Sequence, residues 1–215
     1  MITYHVIRPA EIQQELPRTT YNFAIRELAD DDPKKADGYN YSAHSITVPS
    51  ATPASAALVL LIADYDNSPA VNSFLLNGES VWLDKTTRVG LMNSIGVEIS
   101  AGIQNTTLWF EGRSYTLPCT TAMELVSGIE LYAIACYRVT AEHQAHVARL
   151  GQALVEAQND YAEMIQARDY AREQGLPGPA AEELAAAREA QATALAAILG
   201  FDFTQGYPER PGINI

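Results

Sequence analysis

The chain has 215 residues, 47% of them hydrophobic and 19% charged, which is the balance of a globular protein with one core and at most one appendage. Twenty-six acidic against fourteen basic residues give a formal charge of -12, which opposes contact with nucleic-acid phosphates and anionic membrane surfaces. Two cysteines, Cys119 and Cys136, are too few and too far apart for a disulfide framework or a zinc ribbon, so a reducing compartment fits.

The N-terminus, Met1-Ile2-Thr3-Tyr4-His5, has no basic region followed by an apolar run, and no secretory signal is expected. Residues 1–53 read as an irregular arm with short strands at residues 2–7, 21–25 and 45–48 between Pro, Asp and Gly punctuation. Its Asp30-Asp31-Asp32 cluster reads as a solvated loop or helix start rather than a cation site, because three adjacent side chains cannot aim enough oxygens at one ion. A body follows over residues 54–139. The Ala- and Leu-rich run 55–64 predicts a buried helix, and the longest apolar run, Ala54 to Ala63, is at about ten residues well short of the ~20 that cross a bilayer. Ser68-Pro69 predicts a second short helix reaching Leu75, with proline at its first position. Asp64-Tyr65-Asp66-Asn67-Ser68 lacks the central glycine and closing glutamate of a calcium loop and reads as a polar turn.

Asn77-Gly78 predicts a turn into a strand at residues 80–83, and Asp84 caps a helix that Gly102 ends. Glu111-Gly112 predicts the turn of a β-hairpin between residues 106–110 and 113–117. Its Trp109, Phe110 and Tyr115, with Trp82, form either core or a binding patch, core being the default. Thr121-Ala122-Met123-Glu124 has the spacing of a capping box opening a helix.

Residues 140–199 read as a long antiparallel helical hairpin. Leu150, Leu154, Ala157, Tyr161, Met164 and Ala171 fall on alternating steps of three and four with only Arg168 intruding, Gly175-Leu176-Pro177-Gly178-Pro179 makes the turn, and Leu184, Ala187, Gln191, Leu195 and Ile198 return as a second seam. Alanine-rich seams bury little area, so the hairpin is expected to dock on a neighbour through Leu154, Tyr161, Met164, Leu184, Leu195 and Ile198. The aromatic tail, residues 200–215 with Phe201, Phe203 and Tyr207, is expected to fold back onto the body. The fold class is therefore α+β, helix-dominated, with a small β-hairpin or sheet packed on helices and a helical-hairpin extension.

Chemical signatures are sparse. His143 and His146 lie three apart on one helix, a metal-compatible spacing without an evident third ligand, and read as surface or interface residues. Cys119 precedes a helix start that could stabilise a thiolate, but a buried structural cysteine is the stronger reading. No phosphate-loop, dinucleotide or nucleophile-elbow pattern occurs. No catalytic residue, metal or cofactor is expected.

From Val71 onward, Asn72-Ser73-Phe74, Asn77-Gly78, Trp82-Leu83-Asp84-Lys85, Thr87-Arg88-Val89-Gly90-Leu91 and Thr107-Leu108-Trp109-Phe110 form a familiar series. It continues in Glu130-Leu131-Tyr132-Ala133, Cys136-Tyr137, Val139-Thr140, His143 and Tyr207-Pro208-Glu209. The series resembles an uncharacterised family of small proteins from phages and prophages of gut Bacteroidales, similar to a domain found in phage tail and tail-fibre proteins. Most of residues 151–200 stands outside that pattern as an insertion. The resemblance implies a phage accessory or virion protein. Together with the hairpin seams it gives the leading expectation: a non-enzymatic phage structural or tail-associated protein of the virion or host cytoplasm, with its own copies or other phage proteins as partners, while the acidic charge argues against nucleic acid and membrane. A different reading, an intracellular phage effector such as a tail-assembly chaperone or a host-defence antagonist, fits the acidic surface.

Overall fold

The computed structural model describes residues 17–215; the strand expected at residues 2–7 lies outside them. The elements run β1 (Arg18–Glu27), α1 (Pro33–Ala36), β2 (Tyr41–Pro49), α2 (Ala54–Asp66), β3 (Phe74–Leu76), β4 (Glu79–Val81), α3 (Lys85–Ser100), β5 (Asn105–Phe110), β6 (Arg113–Pro118), α4 (Cys119–Gln174), α5 (Ala181–Leu199) and β7 (Gly212–Ile213). The fold is α+β and helix-dominated, with small sheets packed against helices. It divides into two compact units, each discontinuous in sequence: one holds residues 17–61 and 146–202, the other 62–145 and 203–215. Both α2 and α4 contribute to each unit, so the units do not follow the contiguous segments 1–53, 54–139, 140–199 and 200–215.

In the first unit β1 and β2 form an antiparallel ribbon in the register Thr19↔Val48, Tyr21↔Ile46, Phe23↔His44. Period-two alternation turns Tyr21, Phe23, Ile46 and Val48 to one face, and Phe23 and Val48 are buried. The register shifts between Phe23 and Arg26, where Ala24 has φ +49°, and beyond this bulge Ile25 is exposed. The Asp cluster shapes the connection: Asp32 caps α1 by accepting from the Lys34 amide (2.9 Å), and Asp30 pairs with Lys35 (2.8 Å). Helix α5 packs against β1, and Arg26 pairs with Asp202. A two-stranded ribbon is marginal alone, so this helix is what supports it.

The hairpin forms as the sequence implies. Gly175 turns the chain at φ +64°, and the Leu176 amide closes the end of α4 on the Ala171 carbonyl (2.8 Å). Glu183 accepts from the Ala180 amide (2.9 Å) to open α5. The return brings Phe201 to within 4.9 Å of the His146 ring. Gly151 faces Ser55: a Cβ there would stand 2.9 Å from Ser55 Oγ and 3.0 Å from its Cβ, so the approach of α2 to α4 in this unit requires glycine.

The core of the second unit joins Phe74, Leu76 and Val81 from β3 and β4, Ile95 from α3, Leu108 and Phe110 from the β5–β6 hairpin, and Ala122, Val126 and Ile129 from α4. Asn77 and Gly78 both have positive φ and make the tight β3–β4 turn, and Glu111 and Gly112 do the same between β5 and β6. Asp84 accepts from the Thr87 amide (2.9 Å) at the start of α3, and Gly102 follows its end at φ +75°. Phe110 and Leu108 face the core, while Trp109, opposite Ser114, is exposed.

Two local expectations are corrected. No helix spans residues 68–75: the Ser68 carbonyl accepts from the Val71 and Asn72 amides, Asn72 and Ser73 side chains take the Asp66 and Pro69 carbonyls, and Phe74–Leu76 is strand β3. Short polar side chains compete here for the carbonyls that a helix needs. Nor does Thr121 cap a helix: α4 starts at Cys119, whose amide already donates to the Gln104 carbonyl (2.9 Å), placing Thr121 inside the first turn.

Candidate functional site

Helix α4 is apolar on two sides over its first half. One side, with Ala122, Val126, Ile129 and Cys136, is buried in the core of the second unit. The other carries Leu131, Ile134 and Tyr137, exposed by 67%, 39% and 70%. Steps of three hold these side chains within an arc of about 120°, so they form one stripe. By length and composition α4 is the one helix among the described residues that could cross a membrane, and only 33% of its apolar stretch is buried.

Beside the stripe lies a recess of about 240 Å³ lined by Asp66, Asn72, Lys85, Arg88 and Glu130, with Ile134 and Tyr137 at the stripe itself. The Asp84 cap directs α3 so that Arg88 points inward, 5% exposed. Its charge is fully engaged: Nε donates to Glu130 Oε2, Nη1 donates to the Leu83 carbonyl, and the guanidinium stands 5.7 Å from the Trp82 ring centre. Among the described residues Lys85 has no carboxylate partner, leaving it as the recess cation open to an incoming group. The Asp84 carboxyl is held below its usual range, chiefly by the hydrogen bond from the Thr87 hydroxyl.

The recess wall is tied to the C-terminal tail. Thr140, 5% exposed, donates to Asp66 Oδ1 at 2.6 Å and shares a 2.9 Å hydrogen bond with the Tyr207 hydroxyl. Tyr65 meets Phe203 and Tyr207 edge-on at 5.6 and 5.5 Å, and Phe203 is buried, so from Phe203 onward the tail folds onto the body as expected. Strand β7 then adds to β3 in parallel. The Tyr132 hydroxyl donates to the Val71 carbonyl (2.8 Å), and burial pushes the Tyr132, Tyr207 and Cys136 pKa values up. Burial, then the neighbouring Glu98, likewise raises the Cys119 thiol, so that position does not stabilise a thiolate. At neutral pH these groups stay protonated and act as hydrogen-bond donors and packing surface.

The sequence-predicted interaction residues are dispersed in exposure. Leu154 and Ile198 are buried within the chain, Tyr161, Met164 and Leu184 are half-buried, and Leu195 is exposed. Ala194 takes the inward position instead of Leu195, completing steps of three and four from Leu184 through Ala187, Gln191 and Ala194 to Ile198. His143 lies against Tyr207 in the second unit (5.5 Å between rings), whereas His146 belongs to the first. Among the described residues no group of three His, Cys, Asp or Glu side chains is placed to hold a metal. Sequence reasoning missed Leu131, Ile134 and Tyr137; the available signal was an apolar run covering more of the helix circumference than one core contact uses. No protein-family model, curated protein or solved structure matches the chain.

Proposed function

We propose that this chain is a non-enzymatic phage structural or tail-associated protein, working by self-association or by attachment to another virion component. The observation that supports this reading is the exposed stripe of Leu131, Ile134 and Tyr137 on a helix whose other side is already packed. Covering these side chains gains on the order of 4 kcal/mol gross. Association itself costs about 4 kcal/mol or more, so the contact needs a further anchor. The adjoining recess supplies one: Lys85 and Asp66 line it at the edge of the apolar surface, where polar groups of a partner can enter. A bilayer is a poorer occupant, because Ala122, Val126, Ile129 and Cys136 along the same stretch are held in a protein core.

Mass spectrometry of purified particles tests the assignment. Recovery of the chain with the particle, at a copy number in proportion to other structural proteins, is the expected result. Recovery from infected-cell lysate alone contradicts it and favours the intracellular effector.

A further inference from the structure

The β1–β2 ribbon has an outer edge, on β2, that meets no other strand among the described residues. The hydrogen bonds at the two ends of the ribbon fix which backbone groups face outward. Leu28 N–H donates to Asn40 O and Ser50 N–H donates to Pro17 O, so Ser42, His44, Ile46 and Val48 bond toward β1. The N–H and C=O groups of Tyr41, Ala43, Ser45 and Thr47 therefore point away from it. The bulge at Ala24 is confined to β1 and leaves this alternation on β2 unbroken.

Exposed edges are ordinarily blunted by charge, bulges or central prolines, and β2 has none of these devices. From Tyr41 to Val48 it contains no Asp, Glu, Lys or Arg, and its only proline, Pro49, stands at the end. The Ser45–Asn22 (2.6 Å) and Thr20–Thr47 (2.9 Å) side-chain hydrogen bonds hold the strand flat against β1 on the solvent face.

We infer that β2 is a homotypic docking edge, pairing antiparallel with β2 of a second copy about a twofold axis at His44. In this register Tyr41 lies opposite Thr47 of the partner subunit and Ala43 opposite Ser45 of the partner subunit. Every outward N–H then meets an outward C=O, and Pro49, which lacks the donor, falls just beyond the ladder. A one-residue slip would set outward groups against inward ones, so the pattern is self-complementary only in steps of two. A second copy is favoured over an unrelated strand because an uncharged, symmetric edge satisfies itself without any like-charge contact.

This inference rests on the reading that the chain acts by association, and the two can fail separately. Amide hydrogen exchange is followed residue by residue in the full chain at low and high concentration, together with its mass by sedimentation. The expected result is slowing of the Tyr41, Ala43, Ser45 and Thr47 amides by about tenfold or more as the dimer fills, while the inward amides stay equally protected at both concentrations. The Ala43→Pro variant removes an outward donor without touching the β1 ladder, and should abolish this concentration dependence while the ribbon's own protection persists. Association without any change at these four amides, or a monomer at all concentrations, overturns the edge and leaves the broader reading standing; recovery of the chain alone, without any partner, from particles and lysate is what overturns that reading. Concentration-independent protection that disappears when residues 1–16 are deleted also overturns it, because the edge would then be covered by its own chain.

Discussion

Replacing Thr140 by Val keeps the shape of a nearly buried side chain and removes the hydroxyl that links helix α4, the end of α2 and the tail. The change deletes the 2.6 Å bond to Asp66 and the 2.9 Å bond to Tyr207. A bond to a charged acceptor contributes about 1.5–3 kcal/mol and a neutral one about 1 kcal/mol. Asp66 is only half-buried and regains water, and Val is more apolar than Thr, so the net loss should be about 2 kcal/mol. For a chain of this size that is a fall of roughly 4–8 °C in Tm. Thermal unfolding followed by far-UV circular dichroism measures it, and a cycle with Tyr207→Phe isolates the shared bond. The double variant should be less destabilised than the sum of the singles by about 0.5 kcal/mol or more. An unchanged Tm, or strict additivity, would refute the claim that Thr140 fastens the tail.

Gly151→Ala should destabilise the first unit by about 1 kcal/mol despite its gain in helix propensity, because its Cβ meets Ser55, and adding Ser55→Gly should recover most of the loss in a chemical denaturation series. Stability should also fall as pH rises through about 9–11: Tyr132, Tyr207, Cys119 and Cys136 have raised folded-state pKa values, so above the ordinary thiol and phenol range the unfolded chain releases protons that the folded chain retains. Tyr132→Phe should flatten the alkaline part of a Tm-against-pH profile, and an unaltered slope would contradict the burial of that phenol.

The parts of the fold governed by neighbouring residues were readable from sequence. Asn77-Gly78 and Glu111-Gly112 adopt the positive φ values that tight hairpins need, and Asp84 finds the Thr87 amide three residues on. The steps of three and four also carried most of the α4–α5 seam. Where local signals competed, they misled. Pro69 favours a helix start, but Asn72 and Ser73 take carbonyls for their own side chains and Phe74 is drawn into a sheet with Val81 and, in the aromatic tier, against Phe110 (5.9 Å). The recess was not legible because Asp66, Arg88 and Glu130 come from three helices, and no spacing along the chain records their convergence. The stripe was hidden differently: Leu131, Ile134 and Tyr137 look like core residues until the adjoining face of α4, with Ala122, Val126, Ile129 and Cys136, is seen to be the buried one.

The most direct test of the central claim, that α4 presents an apolar surface made to be covered, is sedimentation equilibrium of the Ala43→Pro chain, whose β2 edge cannot pair, with and without Leu131→Lys/Tyr137→Lys, across about 1–100 µM, a window suited to moderate affinities. The Ala43→Pro chain should show a mass above 23.4 kDa that grows with concentration, and the chain with the two lysines added, folded to the same helical content, should stay at the single-chain mass or require at least about tenfold more protein to associate. An Ala43→Pro chain that remains at 23.4 kDa throughout while the wild-type chain is recovered alone from particles or lysate, or a lysine variant that associates as readily as its parent, would contradict it.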